Sequence, residues 1–157
     1  MENRIKTDII LETVTDKNQI QDYILYFNPI FPHLKEKISS FDEYAEKLSK
    51  KANVVIGKID DEPVGLLVFY ANDPETRTAF ISLIGVSEKW QGKSVSAFLL
   101  EYCTEESARR KMEFLKLEVD IDNGRAIRFY EKNGFKKCGE AGGSSIYMCK
   151  RISEGKI

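Results

Sequence analysis

The stretch Asn123-Gly-Arg-Ala126-Ile-Arg-Phe-Tyr130-Glu-Lys-Asn-Gly134-Phe135 carries the strongest signal in the chain. Asparagine caps helix N-termini well, and glycine ends helices because it enters the left-handed conformation without a Cβ penalty. The spacing therefore predicts a short amphipathic helix over Asn123–Asn133, closed by Gly134. By pattern alone Tyr130 is a half-buried aromatic on that helix. On its N-terminal side, Phe114 to Ile121 sets Leu115, Leu117 and Val119 against Lys116, Glu118 and Asp120, the alternation of a strand. On its C-terminal side, Phe135 to Cys138 and Ser145 to Arg151 read as a last pair of strands around Gly139–Gly143.

Further upstream lies Val86-Ser-Glu-Lys-Trp-Gln-Gly-Lys-Ser-Val-Ser-Ala-Phe-Leu-Leu100, where an apolar strand over Arg77–Val86 gives way to a small-residue turn that opens a helix. Between Gln91 and Ala97 the side chains are small or basic. Backbone N–H groups at such a helix N-terminus can approach an anion closely, and the helix dipole favours its charge. Ordinary helix capping by Gly and Ser accounts for the same residues. The helix itself places Val95, Phe98, Leu99, Tyr102 and Cys103 on one face and ends in Arg109-Arg110-Lys111, a length of about 27 Å for roughly 18 residues. A right-handed crossover then sets the strand at Phe114 parallel to the strand ending at Val86.

The N-terminal half reads as a strand over Asp8–Val14, followed by a helix with Ile20, Tyr23, Ile24 and Phe27 on one face, after capping candidates Thr15 and Asp16. Pro29-Ile-Phe-Pro-His-Leu34 forms an ordered loop. Ser40 with Glu43 begins a second helix as a capping box, with Phe41, Tyr44, Ala45 and Leu48 as its stripe. Strands over Val54–Ile59 and Val64–Tyr70 flank Asp60-Asp61-Glu62-Pro63 as a hairpin.

A chain of 157 residues with 42% hydrophobic and 31% charged residues is an ordinary globular composition, and one domain over 1–157 is expected. A net charge of −1 gives no attraction to nucleic acid or membrane. With no signal-peptide pattern in Met1–Asp8 and no apolar run long enough to span a bilayer, a cytoplasmic protein is expected. Cys103, Cys138 and Cys149 lack metal-ligand spacing, so reduced, packed thiols and no metal are expected. A single histidine leaves few ways to build a Cys-His pair.

Asn123, Ala126, Tyr130, Gly134 and Phe135 match Asn-x-x-Ala-x-x-x-Tyr-x-x-x-Gly-Phe, the pattern that follows the fifth strand in the GCN5-related N-acetyltransferase (GNAT) superfamily, which this chain resembles. Gln91 to Ser96 falls on the family's Gln/Arg-x-x-Gly-x-Gly/Ala loop, and the order of elements also fits. The resemblance implies an α/β fold with a mixed, mostly antiparallel sheet flanked by helices on both faces. It implies acetyl-CoA as co-substrate and direct attack by the amine of a small molecule or peptide in a ternary complex. Nucleic acid and membrane are not implied partners, and a homodimer is compatible with it.

Residue by residue, the resemblance assigns the cofactor to Ile84 and Val86 on the fourth strand, to Gln91, Gly92, Lys93, Ser94, Val95, Ser96 and Ala97 in the loop, and to Asn123, Ala126 and Tyr130. Tyr130 corresponds to the general acid, a phenol of ordinary pKa about 10 that would protonate the coenzyme A thiolate. The family's base positions fall here on Phe80, which cannot accept a proton, and on Ser82, which can hold a relaying water. Phe31, His33 and Tyr70 are the candidates for the acceptor pocket. Where the family has glycine this chain has Ser94 and Ser96. First-turn helical residues need no positive φ, so serine is expected to carry no backbone strain and to cost only room for the phosphate. Restoring both glycines should tighten acetyl-CoA binding. The competing reading is a non-catalytic domain of the same fold.

Overall fold

The computed structural model describes residues 8–152. Met1–Thr7, part of the segment read as lacking a signal peptide, lie outside the described residues. In chain order the elements are β1 (Ile10–Val14), α1 (Lys17–Phe27), α2 (Leu34–Lys37), α3 (Phe41–Lys51), β2 (Asn53–Ile59), β3 (Glu62–Tyr70), β4 (Thr78–Val86), α4 (Val95–Arg109), β5 (Phe114–Asp120), α5 (Gly124–Lys132), β6 (Lys136–Gly142) and β7 (Ser145–Arg151), with single 3-10 turns at Asn28–Ile30 and Glu88–Trp90. Seven strands follow the order β1-β2-β3-β4-β5-β7-β6. The β4–β5 pair is parallel, as the crossover requires, and β1–β2, β2–β3, β5–β7 and β6–β7 are antiparallel.

The chain packs as two units, one comprising residues up to Phe69 together with Leu83–Cys103, the other Tyr70–Ser82 with the residues from Thr104 onward. In the first, Asp16 caps α1 by accepting from the Gln19 N–H at 3.0 Å, and Ser40 caps α3 by accepting from the Glu43 N–H at 3.0 Å. Their apolar stripes, Ile20, Ile24 and Phe27 on α1 with Ala45 and Leu48 on α3, are buried. Val54, Val55 and Ile56 of β2 and Leu66–Phe69 of β3 are buried without alternation, the mark of strands covered on both faces. Asp60 and Asp61, at φ 52° and 67°, make the two-residue hairpin turn between β2 and β3.

Gly57 and Gly65 are register partners on β2 and β3. A Cβ at Gly65 would stand 2.9 Å from Leu99 Cδ1 and 3.2 Å from Val95 Cγ1, and one at Gly57 would stand 3.8 Å from Leu99 Cδ2. The paired glycines thus form a notch into which the N-terminal half of α4 settles. A side chain at Gly65 would force Leu99 and Val95 to shift.

In the second unit, Leu115, Leu117 and Val119 of β5 are buried with Ile146 and Met148 of β7 and with Phe135, while Lys116 and Glu118 alternate with the β5 residues. Cys138 and Cys149 are joined by a disulfide with Cα atoms 5.8 Å apart, which corrects the expectation of reduced thiols at these two positions. The reason lies in the register. Lys137 pairs with Met148 and Gly139 with Tyr147, so Cys138 is the extra residue of a bulge beside β7. Cys103 lies outside that disulfide and is buried. The structure also adds the single turn α2 after the Pro29–Leu34 loop, and α4 has 15 residues rather than the 18 or so read from its pattern.

Candidate active site

In the first unit the anion loop grows from the end of β4. The Ser87 N–H donates to Val64 O at 2.9 Å, tying the strand end to β3, and the Gln91 side-chain amide donates back to Val86 O at 3.0 Å. Gln91 therefore closes the loop through its side chain. Gly92 and Ser94 both lie in the left-handed region, at φ 78° and 73°, with Lys93 between them outside it. Such an alternation turns successive N–H groups toward one side and makes an anion-binding concavity. The Phe98 N–H donates to Ser94 O at 3.1 Å, so Ser94 is the residue before the first helical turn. The N–H groups of Val95, Ser96 and Ala97 open the helix without i−4 partners.

The positive φ at Ser94 corrects the expectation of an unstrained serine there. Ser96, inside α4, is outside the left-handed region. An added Cβ at Gly92 meets nothing within 4 Å, so that glycine is required by conformation rather than by space. Val95 is buried against β3, leaving its backbone alone for a ligand. Gln91, Gly92, Lys93, Ser94 and Ala97 are exposed, and Ile84 and Ser96 are half-buried.

The Pro29–Leu34 loop lies on β4 in the same unit. A Cβ at Gly85 would stand 2.6 Å from Phe31 Cζ and 2.8 Å from Ile30 Cδ1, so the Phe31 ring rests on the strand backbone between Ile84 and Val86. His33 is exposed, with Nδ1 3.5 Å from Glu36 Oε1. Its partner is thus a surface carboxylate on α2.

In the second unit Asn123 caps α5, its Oδ1 accepting from the Ala126 N–H at 3.2 Å. That bond occupies the Ala126 N–H and leaves the Asn123 amide NH2 for other partners. Tyr130 stands edge-on to Phe129 and Phe135, at ring-centroid distances of 5.4 and 5.6 Å, and the Phe135 N–H donates to Tyr130 O at 3.0 Å. Burial pushes its phenol up to about 12, above the ordinary value of about 10. Burial also raises the Tyr70 phenol. The β4–β5 ladder ends at Ile81–Leu117 although β5 continues to Asp120. Ser82, half-buried, is the first residue past that last pair.

A cavity of about 380 Å³ in the second unit contains none of the residues assigned above. Arg77, Arg110 and Lys111 line it near the C-terminus of α4, where cations offset the negative end of the helix dipole. Among the described residues no group of three or more His, Cys, Asp or Glu side chains is placed to hold a metal, and no helix is long and apolar enough to cross a membrane.

Gly57, Gly65, Gly85 and Glu62 shape this region without having been singled out from sequence. An isolated glycine inside a strand signals close backbone approach, and three of these four carried that signal.

A mixed sheet with a parallel β4–β5 pair, a left-handed loop opening α4 and a capped helix bearing Tyr130 define the acyl-CoA N-acyltransferase class of fold. The chain belongs to the GNAT family of acetyltransferases, whose model matches residues 19–135. A mycothiol acetyltransferase from Jonesia denitrificans is 34% identical over 68 residues, a match covering 43% of this chain and 22% of that protein. A spermidine N-acetyltransferase SpeG chimera from Vibrio cholerae and hSSAT superposes with a TM-score of 0.77 at 19% identity, over 94% of this chain and 97% of that one. The PaiA N-acetyltransferase from Thermoplasma acidophilum, solved in complex with coenzyme A, superposes with a TM-score of 0.68 at 18% identity, over 91% and 98%.

Proposed function

We propose that this chain transfers an acetyl group from acetyl-CoA to a primary amine of a small molecule or peptide, by direct attack. The observation that carries the reading is the loop Gly92–Ser94, whose two left-handed residues lead into the start of α4, where the first N–H groups have no intrahelical partner. Those N–H groups, with Lys93 as a nearby cation and the hydroxyls of Ser94 and Ser96 as donors, would hold the pyrophosphate. Beyond Ile81, β4 leaves its β5 ladder, and the backbone of Ile84 and Val86 would pair with the pantetheine arm as an added strand. An N–H near Val86 would polarise the thioester carbonyl. The family pattern also assigns the cofactor to Asn123, which keeps its amide donors, and to Ala126, which has a small side chain.

The amine attacks the thioester carbonyl, the tetrahedral intermediate expels coenzyme A thiolate, and Tyr130 gives the thiolate a proton. A phenol raised to about 12 remains protonated throughout the physiological range, so the acid is always loaded. The proton released by the amine leaves through water held at Ser82. Phe31, His33 and Tyr70 are the acceptor-binding candidates that the family resemblance supplies, and an acceptor amine of low pKa suits Ser82, which is no strong base.

Acetyl-CoA turnover by the Tyr130→Phe variant tests the assignment. The expected result is a loss in kcat of about 10²-fold with acetyl-CoA affinity little changed. Equal turnover removes Tyr130 from the mechanism. A wild-type chain that binds acetyl-CoA and turns over no amine points instead to the binding domain.

A further inference from the structure

Two cation and indole donors on the 3-10 turn just before the anion loop converge on one carboxylate. Lys89 Nζ donates to Glu62 Oε1 at 3.4 Å, and Trp90 Nε1 donates to Glu62 Oε2 at 3.3 Å. Glu62 is the first residue of β3, immediately after the Asp60-Asp61 turn. Two residues further along β3, Val64 O accepts the N–H and, at 3.4 Å, the hydroxyl of Ser87. One residue beyond that, Gly65 receives Val95 and Leu99 from α4. The start of β3 thus grips the loop before, at and after the residues that would meet the phosphate. Trp90 is half-buried and immediately precedes Gln91 in the chain, so a shift of the indole is passed directly to the loop's first residue.

From this geometry we infer that Glu62 is a positioning residue for the cofactor loop, setting the placement of the Gly92–Ser94 backbone through Trp90 and Lys89. The inference rests on the proposed role of that loop in holding acetyl-CoA. Glu62 itself touches no cofactor. A carboxylate bonded to an indole N–H and an ammonium, each partly exposed, is a modest clamp, and its removal should loosen the loop rather than unfold the chain. The clamp acts on ground-state cofactor binding and leaves the chemical step alone, which separates it from a residue that merely supports the fold.

The test is steady-state kinetics and calorimetric titration with acetyl-CoA on the wild type, Glu62→Ala, Glu62→Gln and Trp90→Phe. Glu62→Ala is expected to raise KM and Kd for acetyl-CoA by about fivefold, with kcat and the acceptor KM within twofold of wild type. Glu62→Gln, which keeps one acceptor oxygen for the indole, should recover most of that loss. Trp90→Phe, which keeps a ring and deletes the N–H, should reproduce part of it even if Glu62→Ala folds poorly. Unchanged Kd in Glu62→Ala and Trp90→Phe overturns the clamp while leaving the proposed function intact, as does a loss confined to kcat. A wild-type chain that binds no acetyl-CoA overturns the function itself, and the clamp with it.

Discussion

Ser94 holds a φ of 73° in a region where an L side chain brings its Cβ toward the following carbonyl, at a cost of about 1–2 kcal/mol. Ser96, two residues on, sits in the regular first turn of α4 and carries no such cost. The two serines therefore separate in a way that their shared departure from the family's glycines hides. Ser94→Gly is expected to raise unfolding free energy by about 1 kcal/mol, and Ser96→Gly to lower it by about 0.5–1 kcal/mol because glycine is a poor helix former. Urea unfolding of the two single variants checks the opposite signs. Tyr130 has its own signature at this scale. Its folded pKa of about 12 lies above the unfolded value of about 10, so both states bind the proton equally below pH 10. As pH rises from about 10 to 12, the unfolded state loses the proton first and stability falls. The Tyr130→Phe variant should lack that part of the decline when unfolding is followed across this range. Up to about pH 11, kcat should show no basic limb that Tyr130→Phe removes.

At the level of elements, close approach is what a sequence conceals. The caps at Asp16, Ser40 and Asn123, the stripes of α1 and α3 and the alternation of β5 follow from local spacing, and each stands where its residues place it. The left-handed turn at Ser94 does not follow from residue type, because serine has no preference for a positive φ. The Cys138–Cys149 disulfide was illegible for a related reason: its partnership depends on a bulge, and bulges are invisible to residue counting. Two outcomes belong here. Gly85→Ala would drive a Cβ to within 2.6 Å of Phe31, so the loop carrying Phe31 must shift, with a stability loss of about 1–3 kcal/mol by urea unfolding and a raised acceptor KM. Reduction of the disulfide, which spans 11 residues, should lower stability by about 2–3 kcal/mol, read as a urea midpoint shift that Cys138→Ser abolishes.

For the molecule as a whole, the fold was legible because Asn123–Phe135 carries a spaced pattern that few other contexts produce, and the family match over residues 19–135 agrees with it. The acceptor was not, because the Pro29–Leu34 loop offers aromatic and aliphatic surface without a charge pattern that names one amine, and His33 is turned to Glu36. The cofactor is the part of the account on which every other role depends. Binding to the folded state alone should also raise unfolding free energy by about 2.7 kcal/mol at a hundredfold excess over Kd. Calorimetric titration of the wild-type chain with acetyl-CoA is the most direct measurement: saturable one-to-one binding is expected, whereas heats no larger than dilution up to millimolar ligand would contradict the assignment of the loop to the cofactor.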